Sequence, residues 1–417
     1  MLIAVISCIV LHSCEKEESD YLELSNVSFT NISSEGAILE VNVNCTSDWS
    51  VTQIPEWCEY HKQNNQKLIL KIDENLKDAI RSATVTVSTS TGNASKNIEL
   101  SQVSFNPENY LYKLPVIFHV LYHDRNDNNQ YVETGRLPEI LEQVNKLYHN
   151  TGTGSANMEL EFVLATKDPK GNILPEPGVE RIKWESEAID IEQFMFTNDR
   201  TYNYLIWEPN DYINIMVYRF TNDNIMGVSH FPYSPETEPL DGTETVSSRL
   251  TGDNLRYAYC ISINNLYIYE KTTGTLPNPN DAAITLGHEL GHYLGLYHTF
   301  AEATEDGVDV CEDTDYCADT YTYDRQAYEN WIYSLDEPPY TFAELAQRHD
   351  CVRNTDFTSR NIMDYAYSYL DQFTAQQKLR VRHVLAYSPL IPGPKKGLVS
   401  TRSVHNGLLD LPIRVMK

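Results

Sequence analysis

Apolar and polar positions alternate in Ala37-Ile38-Leu39-Glu40-Val41-Asn42-Val43, and again in Ala83-Thr84-Val85-Thr86-Val87-Ser88. Helical periodicity is missing throughout residues 21–104. Such period-two runs between turn residues predict short half-buried strands, and a succession of them predicts a small all-β sandwich. Phe105-Asn106-Pro107-Glu108-Asn109 reads as a linker, and the pattern changes after it. Leu114 to Tyr122 is almost continuously apolar, as in a strand covered on both faces. Ile140, Leu141, Val144 and Leu147 then recur at helical spacing behind Pro138, which suits a first helical turn. They predict a helix over 138–148 that backs a sheet, and residues 158–165, 212–220 and 259–263 supply further strands. Asn280 or Asp281 can cap a second helix, whose stripe is Ala282, Ala283, Leu286 and Leu290. An irregular acidic stretch follows, then a helix expected around 342–349 and a last one from about 375 to 384. The expected fold is therefore multi-domain. An N-terminal all-β sandwich (21–104) precedes an α/β domain (105–392) with a twisted mixed sheet, a backing helix and the helix after Asp281, and a tail covers 393–417.

The start of the chain reads differently. Met1 to Leu11 is apolar but too short to span a bilayer. Leu11-His12-Ser13-Cys14 resembles a bacterial lipobox, so residues 1–14 are expected to be a signal peptide with Cys14 as the lipidated residue. Glu15-Lys16-Glu17-Glu18-Ser19-Asp20 is then a charged tether, similar to the signals that send Bacteroidetes lipoproteins to the cell surface. The expected location is the outer membrane, reached by export and held by a lipid.

The 417 residues carry 32 Lys and Arg against 59 Asp and Glu, a formal charge of −27, which argues against nucleic acid as a partner. The acidity fits a solvated surface, or carboxylates that bind calcium. Beyond Cys8 and Cys14 lie Cys45, Cys58, Cys260, Cys311, Cys317 and Cys351. An exported chain can form disulfides. Cys311 or Cys317 is expected to pair with Cys351, Cys45 with Cys58 is a second possible pair, and the connectivity stays open.

The densest chemistry is His288-Glu289-Leu290-Gly291-His292-Tyr293-Leu294-Gly295-Leu296-Tyr297-His298. Residues four apart share a helix face, so His288 and His292 can reach one metal ion. Gly295 can take positive φ, end the helix and bring His298 round as a third ligand. Three protein ligands leave a position open, as in catalytic rather than structural zinc sites. Glu289 lies beside them as a candidate general base. His119 and His123 also stand four apart, but on an expected strand with no third ligand near in sequence, and they read as structural.

This run has the H-E-x-x-H-x-x-G-x-x-H signature of the metzincin zinc proteases. With His298-Thr299-Phe300, Asn361-Ile362-Met363-Asp364-Tyr365, Asp371-Gln372-Phe373-Thr374 and Leu114-Pro115-Val116-Ile117-Phe118-His119, residues 110–388 resemble the pappalysin (cytophagalysin) family. The resemblance implies a zinc-dependent endopeptidase acting on a polypeptide. It implies that Met363 forms a Met-turn beneath the ligands and that Tyr365 stabilises the oxyanion. It further implies a calcium site at Asp315, Asp319 and Thr320, although Thr314 stands where the family pattern has glycine and Cys317 is extra. Ser368 replaces the Asp of arginine-cleaving members, so no arginine preference is carried over. A substrate is expected to lie extended along an edge strand near Gly227-Val228-Ser229-His230-Phe231. Residues 21–104 resemble a BACON domain through Ser47-Asp48-Trp49-Ser50, Pro55-Glu56-Trp57, Asn75, Arg81 and Glu99-Leu100-Ser101-Gln102. That resemblance implies a spacer or a glycan binder, with Trp49 and Trp57 either a sugar platform or core.

Two other readings compete with the endopeptidase. One is a zinc amidase acting on cell-wall or glycan-linked peptide. The other is a glycan-binding adhesin with an inactive protease domain, against which stand the intact Glu289 and the three histidines.

Overall fold

The computed structural model describes residues 20–197, 200–301, 311–335, 340–365, 367–396, 405, 407–409 and 414–416. Cys8, Cys14 and nearly all of the expected tether lie outside the described residues. The chain divides into two compact units after Asn106.

The first unit holds β1 (Leu22–Leu24), β2 (Ser28–Ile32), β3 (Ala37–Cys45), β4 (Trp49–Gln53), β5 (Cys58–Asn64), β6 (Lys67–Ile72), β7 (Arg81–Thr89) and β8 (Ser95–Gln102). They form two four-stranded sheets, in the orders β1-β3-β6-β5 and β2-β8-β7-β4. One core joins the sheets, with Val41, Val43, Leu68 and Leu70 from the first and Val85, Val87, Ile98 and Leu100 from the second. Each such burial contributes about 1.5–3 kcal/mol. Trp49 belongs to this core, and its indole N–H donates to the Asn65 carbonyl at 2.8 Å. The Arg81 guanidinium covers the ring of Trp57 at 4.5 Å. Neither tryptophan is laid open as a platform.

Cys45 and Cys58 are both free thiols, contrary to the pairing considered for them. Strand order is the reason. Cys58 lies opposite Ile72, and Ile72 lies opposite Ala37 at the far end of β3 from Cys45. The two thiols are thus separated by most of the length of β3, about 26 Å.

The second unit begins with β9 (Tyr112–Tyr122), α1 (Asn128–Tyr131), α2 (Arg136–His149), β10 (Leu160–Leu164), β11 (Val179–Lys183), β12 (Ile213–Tyr218) and β13 (Gly227–His230). It continues with β14 (Ser234–Pro235), β15 (Thr245–Val246), β16 (Ile261–Asn264), α3 (Ala282–Tyr293), α4 (Arg325–Ser334) and α5 (Phe342–Leu345). It ends with β17 (Gln347–Asp350), β18 (Thr355–Thr358), α6 (Ala375–Tyr387) and β19 (Arg414–Met416). The main sheet is mixed. β10 runs parallel to the first half of β9 and β11 to its second half, while β12 lies parallel on the other flank. β16 follows parallel to β12, and β13 then β19 add antiparallel strands. Every residue of β12 is buried, as a strand covered on both faces requires. Helix α2 backs α3, where the Tyr148 hydroxyl donates to the Gly287 carbonyl at 2.9 Å.

Three expectations need correction here. β13 is not a free edge, because Arg414–Met416 pairs along its outer side. The helix expected around 342–349 is the single turn α5, started by a reciprocal Thr341–Glu344 capping box, after which Gln347 enters the β17–β18 hairpin. The stretch expected to be irregular contains the ten-residue helix α4. Cys311, rather than Cys317, forms the disulfide with Cys351. Among the described residues no helix is long and apolar enough to cross a membrane.

Candidate metal centre

Helix α3 starts at Asp281, whose carboxylate accepts from the Ala283 N–H at 2.8 Å. It ends in a Schellman turn. Leu296 N–H donates to the Gly291 carbonyl and Gly295 N–H to the His292 carbonyl, both at 2.9 Å. Gly295 sits at φ +90°, where a side chain would be strained and its Cβ would approach Val384 to 2.8 Å. The reversal carries His298 back over the helix. The Nε2 atoms of His288, His292 and His298 then stand 3.0–3.1 Å from one another, all three side chains buried.

Hydrogen bonds at the far side of two rings set which nitrogen faces the shared point. His288 Nδ1 lies 2.8 Å from the Ile362 carbonyl and His292 Nδ1 lies 2.7 Å from the Leu296 carbonyl. A carbonyl only accepts, so each Nδ1 carries the proton and each Nε2 keeps its lone pair. Two such lone pairs, converging with Nε2 of His298, suit a cation between them. Nitrogens about 2.0–2.1 Å from a tetrahedral metal would themselves be about 3.3 Å apart, close to the spacing seen. The residues therefore fit a metal ion, and among the described residues this is the one group of His, Cys, Asp or Glu that converges in this way.

Beneath the histidines lies the turn of Asn361 to Asp364. Met363 is fully buried, and a Cβ on Gly291 would collide with its Sδ, so the helix has no side chain where the methionine packs. Asn361 and Gln377 exchange amide hydrogen bonds at 2.9 and 3.1 Å, tying this turn to α6. Asp364 accepts from the Tyr323 hydroxyl at 2.6 Å and from Ser359. Tyr365 comes next, its ring edge-on to His298 at 4.7 Å and 5.8 Å from His288. Phe300 stacks on His298 at 4.6 Å. Glu289 is fully buried against the start of β13.

The other candidates fall outside this cluster. Asp315 is buried, accepting from the Cys317 N–H and the Thr320 hydroxyl, each at 2.8 Å. Burial, reinforced by Asp313, pushes its carboxyl up to about 8. Asp319 turns instead to the first turn of α6 and accepts from the Gln376 N–H at 3.0 Å. Ser368 is buried and neutral. His119 bonds Glu180 at 2.9 Å and Asn214 at 3.1 Å, which occupies both ring nitrogens, and His123 lies 3.3 Å from the Trp184 carbonyl. His230, fully buried, has a pKa pushed down to about 4 by burial.

Three residues at the centre were given no role of their own from the sequence: Gly291 and Gly227 were named only within longer runs, and Arg325 not at all. Gly291 sits mid-helix, where glycine costs about 1 kcal/mol, a local signal of close packing. Gly227 and Arg325 carry no such signal, because sheet order and helix placement bring them in.

Residues 196–386 match the protein family described as pregnancy-associated plasma protein-A, a family of peptidases. This segment is that of a metallopeptidase, and the match supports one of the pappalysin kind. No curated protein matches the chain. Among solved structures, an endo-fucoidan hydrolase of glycoside hydrolase family 107 aligns at 12% identity over 28% of this chain and 20% of its own, with a TM-score of 0.19. A Bacteroides ovatus xyloglucanase aligns at 11% identity over 49% of this chain and 56% of its own, also at 0.19. The chain thus spans a fifth of the first and about half of the second. Likeness this slight carries no argument.

Proposed function

We propose that the protein is a zinc-dependent endopeptidase, held at the outer membrane through a lipid on Cys14, that cleaves extended polypeptides. The observation that carries this reading is the convergence of three Nε2 atoms at 3.0–3.1 Å, with the Nδ1 atoms of His288 and His292 turned to backbone carbonyls. His288, His292 and His298 would hold the zinc and leave a position for water or substrate. Zinc when bound supplies Lewis acidity, which polarises the scissile carbonyl and acidifies a water molecule. Glu289 would take a proton from the attacking water and return it to the leaving amine. The Tyr365 hydroxyl donates to the oxygen on which charge develops. Met363 keeps the floor beneath the ligands apolar and fixed.

The peptide would lie antiparallel to β13, with backbone bonds supplying affinity and pockets supplying choice. Arg414–Met416 holds that side of β13, so productive binding requires it to leave. A calcium ion at the Asp315 loop fits the buried Asp315 carboxyl and the exposed Asp313 carboxyl beside it, which disfavour each other's charge. The envelope anchor is supported by the lipobox-like run to Cys14 and the acidic tether behind it.

The deciding test compares wild type with Glu289→Gln and His292→Ala on unstructured peptides. Glu289→Gln should keep one zinc per chain and lose peptidase activity, and His292→Ala should lose both. Retained turnover in Glu289→Gln would overturn the mechanism.

A further inference from the structure

Beside Tyr365 lies a cavity of about 390 Å³, walled by Arg325, Tyr328, Glu329, Ile332, Tyr333 and Leu370. On its other side stands Met226, the residue before Gly227, which itself abuts Glu289. A peptide running along β13 with its carbonyl at the metal centre would therefore point a neighbouring side chain into this cavity. We propose that Arg325 makes the cavity a receptor for an acidic substrate side chain close to the scissile bond. The inference rests on the endopeptidase reading above and names its substrate class.

The Arg325 guanidinium lies 4.3 Å over the Tyr365 ring and 5.0 Å over Phe300, so aromatic faces fix its plane. Its Nε donates to Glu329 at 2.6 Å. Its two η nitrogens hydrogen-bond to none of the described residues. Glu329 engages one donor and leaves the fork that matches a carboxylate. The tyrosine and isoleucine walls stay partly open to solvent, Tyr333 being 83% exposed, so the guanidinium is within reach of a substrate side chain. They also suit the methylene stem of a glutamate. A lysine or arginine side chain would meet like charge at Arg325, and the carboxylate in the lining, Glu329, is already bonded to Arg325 Nε.

The test is a set of peptides in which Glu, Gln or Lys is placed in turn at each of the three positions on either side of one scissile bond. At one position the full-length enzyme should cleave the Glu peptide with a kcat/KM roughly 10- to 100-fold above the Gln peptide. Arg325→Gln should erase that ratio mainly by lowering turnover of the Glu peptide, and Arg325→Lys should keep part of it. Equal cleavage of Glu and Gln peptides at every position, or an equal loss on both in Arg325→Gln, would overturn the proposal, the second leaving Arg325 as a positioning residue for Tyr365. Binding to Glu289→Gln protein separates the two readings. If wild type cleaves nothing but the Glu peptide still binds more tightly than its Gln twin, the peptidase reading fails and the acidic pocket stands.

Discussion

A Cβ on Gly227 would lie 2.7 Å from Cγ of Glu289, closer than real side chains approach one another. The first residue of β13 and the candidate general base therefore share one space, and only hydrogen leaves room for the carboxylate. Gly227→Ala should push Glu289 off its position while β13, still paired with β16, stays in the sheet. Misplacing a reacting group by about 1 Å costs on the order of 10²-fold in rate. The expected outcome is a kcat lowered by about that factor with zinc content and melting temperature near those of wild type. Full kcat in this variant would show that Glu289 does not act from where it lies.

Tyr365 touches the metal-centre rings by its face and edge contacts, and its hydroxyl is what the oxyanion role needs. Tyr365→Phe keeps the ring that packs against His298, Phe300 and Arg325. Its kcat should fall about 10²-fold with KM little changed, since one donor to a developing oxyanion contributes that much. A loss confined to KM would assign Tyr365 to substrate packing.

The histidine cluster is the part of this protein that a sequence can express locally. His288 and His292 converge because four residues make about one helical turn, and His298 joins them because Gly295 allows the reversal. Nothing comparable reports on Gly227 or Arg325. Gly227 reaches Glu289 only because β16, late in the chain, lies between β12 and β13. Helix α4 has no buried residue, so it shows no apolar stripe to read, and Arg325 goes unnoticed with it. The alternation over 21–104 reveals strands, but not that β6 separates β3 from β5 and keeps Cys45 from Cys58. The strand-rich first unit and the mixed α/β second unit were legible from periodicity, whereas pairings across long separations were not.

The pairing of Met416 with Val228, Val415 with Ser229 and Arg414 with His230 places the C-terminal segment where an extended substrate would run. Further back, the same tail is secured by Asn254, whose amide donates to the His405 carbonyl at 2.8 Å and the Gly407 carbonyl at 3.1 Å. A chain ending at Gly407 should therefore keep the docked stretch and expose β13. KM for long peptides should fall several-fold in this truncated enzyme, and a peptide of residues 408–417 should compete with substrate for it. An unchanged KM in a folded truncated chain would make β19 a structural strand only.

The Asp315 carboxyl is pushed up to about 8, by burial first and by Asp313 second, from an ordinary value of 3.8. Between those two values the folded protein holds a proton that the unfolded chain has released, so stability falls as pH rises through that window. This is opposite in sign to a salt-bridged carboxylate, which loses stability on acidification. Asp315→Asn removes the titration while its amide oxygen can still accept from the Cys317 N–H. The melting temperature of wild type should drop between pH 5 and pH 8 by more than that of Asp315→Asn, with metal chelated in both. Calcium added at pH 8 should restore wild type and leave Asp315→Asn little changed, because a divalent cation takes the place of the proton between the two carboxylates. Parallel pH profiles for the two proteins would remove Asp315 as the source, and rescue of both by calcium would move the ion elsewhere.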